Sequence, residues 1–446
     1  MHEAVPISSV LPVEILDFIF SLLEGSVDPL ASPQADKQYV KASLAACALV
    51  CRLWQSAVQR HLFKDFKCTL RVRVPHSNRD LLGNTKLDSL VGFMGASPNI
   101  AASVRRLELD MAIMREPLLA ASGYFAPHDP ESCPMRLYKL LRLLPRVEAV
   151  KLSNICPFIP PSALKSHLNL PVIPKLESLH IDYGRRADNA VSLYKIAETL
   201  RYFGEIRHFE LEDVEIVDGD GLFSAYQDVV IETGEVVSLR GRDEIPEYCK
   251  FESISFHKVR NASPLLEAFA RLPSLRSLKS LQLGCMYSGG CTGLTKLLRT
   301  VAGNLQHLQF RADCTINNLN IASLTALTST TIIFPVIFTI PDSLTDAKVP
   351  YTIPNTLPKF LLSAPLSLRE VTLVLRPAVG WDPKSLDDLG STLLVVGSAL
   401  SQIADRQKLV NVIVKKDEMG GLTSVERSYV SLLLDKLRDR GLLRLD

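Results

Sequence analysis

The sequence predicts an α/β protein: three short N-terminal helices, then a curved solenoid with a parallel sheet inside the curve and helices outside. Three observations predict it. Residues 11–62 carry apolar stripes at helical spacing, broken by one Gly/Pro-rich stretch. From Phe66 onward a strand-like triplet recurs: apolar, two residues, apolar, one residue, apolar. Helical patterns lie between the triplets, as a strand–loop–helix array requires. The expected boundaries are 9–64 for the helical domain, 65–423 for the solenoid and 424–446 for a C-terminal capping helix.

The first element is Leu11–Gly25, "LPVEILDFIFSLLEG". Pro12 suits a first helical turn, where its missing N–H has no intrahelical acceptor. Glu14 and Asp17 place negative charge near the positive end of the helix dipole. Leu16, Ile19, Phe20 and Leu23 form one apolar stripe, and Ile15, Phe18 and Leu22 form a second. A small core hides one stripe, so the other needs a second surface. "GSVDPLASPQADKQ" follows and reads as a loop, with an insertion over 25–41. "KASLAACALVCRLWQSAVQRHLFKDF" then gives two more helical patterns. Leu44, Cys47, Ala48 and Cys51 share one face. Trp54, Ala57, Val58, His61 and Leu62 share another.

Taken in order, "LPVEIL-IF-LL", "LAACALVCRLW" and "LF" resemble an F-box over about residues 9–64. The loop Gly25–Lys41 is longer than in the compact form of that motif. The resemblance implies that the second stripe is buried against a Skp-type adaptor, which links an F-box to a cullin–RING ubiquitin ligase. By motif position it assigns that contact to Leu11, Pro12, Ile15, Leu16, Ile19, Leu49, Val50, Cys51 and Trp54. The plainer alternative is a helical cap over the core of the next domain.

The triplets are Val104-Leu107-Leu109, Val147-Val150-Leu152, Leu176-Leu179-Ile181, Ile206-Phe209-Leu211, Phe251-Ile254-Phe256, Leu278-Leu281-Leu283 and Leu305-Leu308-Phe310. Weaker copies are Leu368-Val371-Leu373 and Leu409-Val412-Val414. Their last positions are separated by 43, 29, 30, 45, 27, 27, 63 and 41 residues. Several of these steps fall in or just above the leucine-rich-repeat period of about 20–29 residues. The clearest helical patterns between them are Met135–Pro145, Ala190–Gly204 and Gly293–Gly303. The array resembles the degenerate leucine-rich repeats that follow F-boxes in many proteins. A doubly wound α/β domain is the other fold considered, but its Gly-rich strand-to-helix turn is missing. Two stretches break the period: 213–250, with a hairpin pattern around Thr233-Gly234, and the proline-rich 336–365.

In such an array the residue between the last two apolar positions faces the inner, concave surface. The expected substrate-facing positions are Glu108, Asp110, Lys151, His180, Asp182, Glu210, Glu212, Gln282, Gln309 and Arg311; Ser153, Ser255, His257 and Thr372 share these rows. The first half of this surface is mostly acidic, so a basic partner segment is one expectation. Ordinary solvated strand faces are the other.

Composition excludes several classes. Fifty Lys and Arg against 48 Asp and Glu leave a net charge of +2, which argues against a global role on nucleic acid or membrane. The apolar run "IIFPVIFTI" (332–340) is short and carries a proline, so no membrane span is expected. The nine cysteines lack C-x-x-C spacing, consistent with reduced thiols in a cytoplasmic or nuclear protein. No Walker, G-x-S-x-G or H-E-x-x-H motif is present, so neither an enzyme nor a cofactor is expected. "DGDG" (218–221) lacks the distal Glu of a calcium loop. "SGGCTG" (288–293) precedes a helix and reads either as a phosphate cradle or as a flexible turn. The expectation is a non-catalytic adaptor: an F-box on a Skp-type adaptor, and a solenoid holding an unknown protein substrate. A scaffold with no ligase role is the alternative.

Overall fold

The computed structural model describes residues 15–16, 18–20, 33–49, 52–69, 72–73, 85–110, 113–114, 134–154, 173–184, 190–217, 228–230, 236–238, 245, 247–284, 286–287, 291–311, 320–334, 356–375, 383–406, 409, 411–416 and 421–446. The chain divides into two compact units, Met1–Asp182 and Tyr183–Asp446.

The first unit opens with the helical residues 15–16 and 18–20, followed by α1 (Pro33–Ala48) and α2 (Arg52–Leu62). α1 begins inside the segment expected to loop, so the 25–41 insertion is shorter than the sequence suggested. Pro33 is its first residue, in the first turn, where a proline sacrifices no intrahelical hydrogen bond. Leu16, Phe20, Leu44, Ala57 and Val58 make a small core, with Cys47, Ala48, Trp54 and Leu62 packed against it. The faces expected for the second and third helices are therefore the ones that meet; Cys51 lies outside the described residues.

Four parallel strands follow: β1 (Asp65–Thr69), β2 (Arg106–Asp110), β3 (Ala149–Ser153) and β4 (Ile173–Asp182). They pair in chain order, β1 with β2, β2 with β3, and β3 with β4. The triplets fall in register: Leu107 opposite Val150 and Val150 opposite Leu179, with Leu109, Leu152 and Ile181 in the next buried row. All six are at most 1% exposed. Between the strands lie α3 (Thr85–Ala96) and α4 (Pro134–Leu143), which pack on each other.

The second unit starts with a short strand, Ala190–Ser192, leading into α5 (Leu193–Leu200) and β5 (Phe203–Val217). The helix expected over Ala190–Gly204 is thus trimmed at both ends. Ala190–Ser192 pairs with Glu215–Val217, and Gly204 sits in a strand rather than ending a helix. The chain continues through β6 (Ser253–Arg260), α6 (Ser263–Ala270), β7 (Ser280–Leu283), α7 (Cys291–Thr300), β8 (His307–Arg311) and β9 (Ser329–Phe334). Then come α8 (Thr356–Leu362), β10 (Glu370–Leu375), α9 (Pro383–Arg406), β11 (Asn411–Lys416), α10 (Ser424–Leu433), α11 (Asp435–Asp439) and β12 (Leu443–Leu445). β5 to β12 form a parallel ladder in strict chain order. A doubly wound sheet reverses its order at a switch point. Neither unit's ladder reverses, so each has the sequential order of a solenoid.

Right-handed crossovers between successive parallel strands put the helices on one side. α6 packs on α7 and α8 on α9 accordingly. Phe269 of α6 meets Phe209, Phe251 and Phe256 at centroid distances of 5.9, 5.4 and 5.9 Å, and Phe360 of α8 meets Phe310 of β8 at 4.9 Å. The apolar strand face therefore looks at the helices, and the alternate residues look away.

Several elements differ from expectation. β9 fills the 63-residue step; its middle triplet position is Thr330, which is why no apolar triplet marked it. The expected single C-terminal helix is α10, α11 and then the strand β12. Gly441, at φ +69°, turns the chain out of α11, and Arg440 replaces the first apolar residue of that last triplet. β5 extends to Val217, so the first excursion begins later than 213; within it Asp228–Val230 and Val236–Ser238 pair as the expected antiparallel hairpin. The second excursion contains α8 from Thr356, with Pro358 tolerated in its first turn. The "DGDG" stretch lies outside the described residues. No described helix is long and apolar enough to cross a membrane.

Candidate adaptor-docking and substrate-binding surfaces

The opening helix separates its two stripes, with one adjustment. Leu16 and Phe20 are fully buried, while Ile15 (45%), Phe18 (63%) and Ile19 (37%) are exposed. Ile19 therefore belongs with Ile15 and Phe18, one turn apart on the outer side. Leu16 faces the unit's own core and is corrected from adaptor contact to core residue. Leu49, at the end of α1, is 87% exposed. Trp54 is half-buried: its indole lies edge-on to Phe20, and its Nε1 has no partner among the described residues. Leu11, Pro12, Val50 and Cys51 lie outside the described residues. Ile15, Phe18, Ile19 and Leu49 are thus large apolar side chains in water on a unit too small to cover them.

Residues 8–69 match the family model of the F-box-like domain. F-box domains as a family bind Skp-type adaptors and serve substrate recognition in SCF-type ubiquitin ligases. No curated protein matches the chain. The matched segment takes in the opening helix, α1, α2 and β1, so the exposed apolar residues and the Leu16–Phe20 core all belong to the F-box-like segment.

The inner-face positions fall into rows fixed by strand register. In the first unit Glu108 lies between Lys67 and Lys151, with His180 beyond, and Asp110, Ser153 and Asp182 make the next row. The charges are largely matched within the face. Lys67 bridges to Glu108 at 2.6 Å, and Asn154 donates to the Asp110 carboxylate at 2.8 Å. Asn154 adopts a left-handed conformation (φ 57°) to reach it, one of the few residue types that does so readily.

In the second unit the corresponding row is Glu210, Ser255, Gln282, Gln309, Thr331, Thr372, Ile413 and Arg444. Glu212 and His257 begin the row beside it, and Arg311, Ile333 and Val374 continue it. The acids of β5 face the cations of β6. Lys258 reaches Glu212 at 3.2 Å and Asp213 at 3.3 Å, His257 Nε2 lies 3.5 Å from Glu210, and Arg260 lies 3.8 Å from Glu215. This cross-strand pairing offsets part of the negative charge: two cations, Lys258 and Arg260, face the four acids Glu210, Glu212, Asp213 and Glu215.

Ser255, His257 and Glu210 gather the residue types of a catalytic triad without its geometry. Ser255 Oγ (2.8 Å) and the Glu210 carboxylate (3.5 Å) both meet the same ring atom, Nε2. A triad needs the carboxylate on Nδ1, so that Nε2 is free to take the serine proton. The "SGGCTG" turn resolves in favour of packing at its described end. The Gly293 N–H at the start of α7 donates to Ser263 Oγ at 3.2 Å, and a Cβ there would stand 2.5 Å from the Ser263 carbonyl oxygen. That close helix approach accounts for the glycine. Of the described thiols, Cys249 is fully buried and donates toward the carbonyls of Leu200 and Phe203; burial pushes it up to about 12, against a small opposing pull from Arg201. Such a thiol is inert at neutral pH.

Proposed function

We propose that the chain is the substrate-recognition subunit of an SCF-type cullin–RING ubiquitin ligase. One observation carries the reading: an F-box-like segment buries Leu16 and Phe20 in its own core and leaves Ile15, Phe18, Ile19 and Leu49 in water. Covering such a patch with a Skp-type adaptor removes apolar area from water, the usual source of affinity in a helix-mediated interface. The second unit then holds a protein substrate on its inner strand face. The chain itself performs no chemistry; it raises the local concentration of the substrate at the ligase, in the cytoplasm or nucleus, without a cofactor. A scaffold that binds a partner without ubiquitin transfer is the second reading.

Co-expression with a Skp-type adaptor and a cullin tests the reading. The wild-type chain is expected to copurify with both. Ile15→Ser, Ile19→Ser and Leu49→Ser combined are expected to abolish copurification while circular dichroism stays unchanged. Retention of the adaptor by the folded triple variant, or failure of the wild type to copurify, moves the function to the scaffold reading.

A further inference from the structure

β12 is an open edge of the second unit's sheet. It pairs with β11 on one side, and no described strand lies on the other. The pairing fixes where its peptide groups point. Val412 N–H donates to the Leu442 carbonyl at 2.8 Å, and Asp446 N–H donates to the Val414 carbonyl at 3.0 Å. In a parallel ladder a residue turns its N–H and its C=O to the same neighbour, and alternate residues turn to opposite sides. Arg444, between those two bonds, therefore faces β11. Leu443 and Leu445 turn both groups away from the sheet, where they have no partner among the described residues.

The side chains follow the same alternation. Leu443 and Leu445 prolong the apolar rows of Val412 and Val414, yet they are partly exposed where Val412 and Val414 are fully buried. Arg444 looks to the other face. Its side chain is 69% exposed, pairs along the strand with Asp446 at 2.7 Å, and has the apolar Ile413 as its cross-strand neighbour. From Leu443 to Asp446 the edge reads apolar, basic, apolar, acidic.

We infer that β12 is a strand-addition site. It takes an extended segment of a partner protein in which apolar and charged residues alternate, an acidic residue standing opposite Arg444 and a basic one opposite Asp446. The four outward main-chain groups of Leu443 and Leu445, at strand spacing, match the backbone of one further strand. Opposite charges directly across a strand pair stabilise it and like charges destabilise it, which sets the order of charges in the segment. The segment's apolar residues then cover Leu443 and Leu445. A second copy of this chain brings a strand of only three residues, too little by itself for a stable dimer. Charged residues on an edge also serve to keep other strands off it, and the experiment separates the two roles. The inference is independent of the adaptor reading, since β12 belongs to the second unit.

The full chain is screened against a phage-displayed library of random 12-residue peptides. Recovered peptides are expected to alternate apolar residues with one acidic and one basic residue. Leu445→Pro removes one outward N–H and leaves every bond to β11 in place. It is expected to lower recovery about tenfold relative to Leu445→Ala, which keeps that N–H. Arg444→Asp combined with Asp446→Arg preserves the ion pair along β12 and is expected to reverse the order of charges in the recovered peptides. Hydrogen exchange of the free chain is expected to show fast Leu443 and Leu445 amides beside a slow Arg444 amide. Equal protection of the three amides overturns the inference, because the edge is then already covered. Recovery that Leu445→Pro and Leu445→Ala change alike, a charge order that ignores the exchange, or the absence of any peptide dependent on β12 also overturns it and leaves Arg444 and Asp446 as guards of an unused edge. A dimer in sedimentation that Leu445→Pro abolishes assigns the edge to a second copy instead.

Discussion

The ring of Phe20 stands edge-on to the indole of Trp54, with centroids 5.8 Å apart and planes at 77°. This contact joins the opening helix to α2 and sorts the apolar residues of the F-box-like segment into those that fold it and those left for a partner. Leu16→Ala is therefore expected to cost about 2–5 kcal/mol of stability, and Phe20→Ala about 3–5 kcal/mol. Ile15→Ser and Ile19→Ser, one helical position to either side of that inner stripe, are expected to change stability by only about 0.5 kcal/mol each. Thermal and urea unfolding of the four variants checks the sorting; a large loss of stability in the Ile15 or Ile19 variant contradicts it.

Thr330 replaces an apolar residue in an otherwise continuous buried row between Leu308 and Val371, and it is 1% exposed. Its hydroxyl has no partner among the described residues. Valine keeps the shape and removes the buried polar group. Thr330→Val is expected to raise stability by about 1–2 kcal/mol, read as an upward shift of the urea midpoint at constant slope.

Gly293 sits where α7 approaches the start of α6. Gly293→Ala inserts a methyl against the Ser263 backbone and is expected to lose about 1–3 kcal/mol, despite alanine's better helix propensity. Gly303→Ala has open space around its Cβ and serves as the matched control. Equal effects in the two variants would show that the close approach does not matter.

Glu426 closes a capping box with Thr423 at the start of α10 and pairs with Lys416 of β11 at 2.9 Å. Burial pushes its carboxyl up, but the hydrogen bonds from Lys416 and Thr423 together outweigh it and hold the group below its ordinary 4.5. A depressed folded value means the ionised form stabilises the fold. That contribution is full above pH 4.5 and disappears as the pH falls through the lower folded value. Glu426→Gln keeps the capping box and removes the charge. It is expected to cost roughly 1–2 kcal/mol at pH 7 and to approach wild type as the pH drops below 4.5, measured by urea unfolding across that range. A pH-independent difference would assign the effect to packing instead.

Much of this protein was legible from spacing alone. The triplets from Val104-Leu107-Leu109 to Leu409-Val412-Val414 are local patterns, and each became a buried strand because period-two alternation dictates which side chains face the helices. The stretch "LPVEIL", followed by "LAACALVCRLW", marked the F-box-like segment for the same reason: the apolar stripes are written in consecutive turns. The inner-face rows follow from the strand pattern, and Glu210, Gln282 and Gln309 share one row of the sheet. Three things depended on neighbours distant in sequence. β9 and β12 broke the pattern at Thr330 and Arg440, and only pairing with adjacent strands revealed them. Leu16 and Ile19 lie three residues apart on one helix, and packing of Phe20 against Trp54 set the rotation that buries the first and exposes the second. The acids of β5 read as a bare negative patch until register places Lys258 and Arg260 beside them. Burial periodicity is a property of a single segment, whereas charge balance and helix rotation arise from contacts between segments, and those form only when the chain closes on itself.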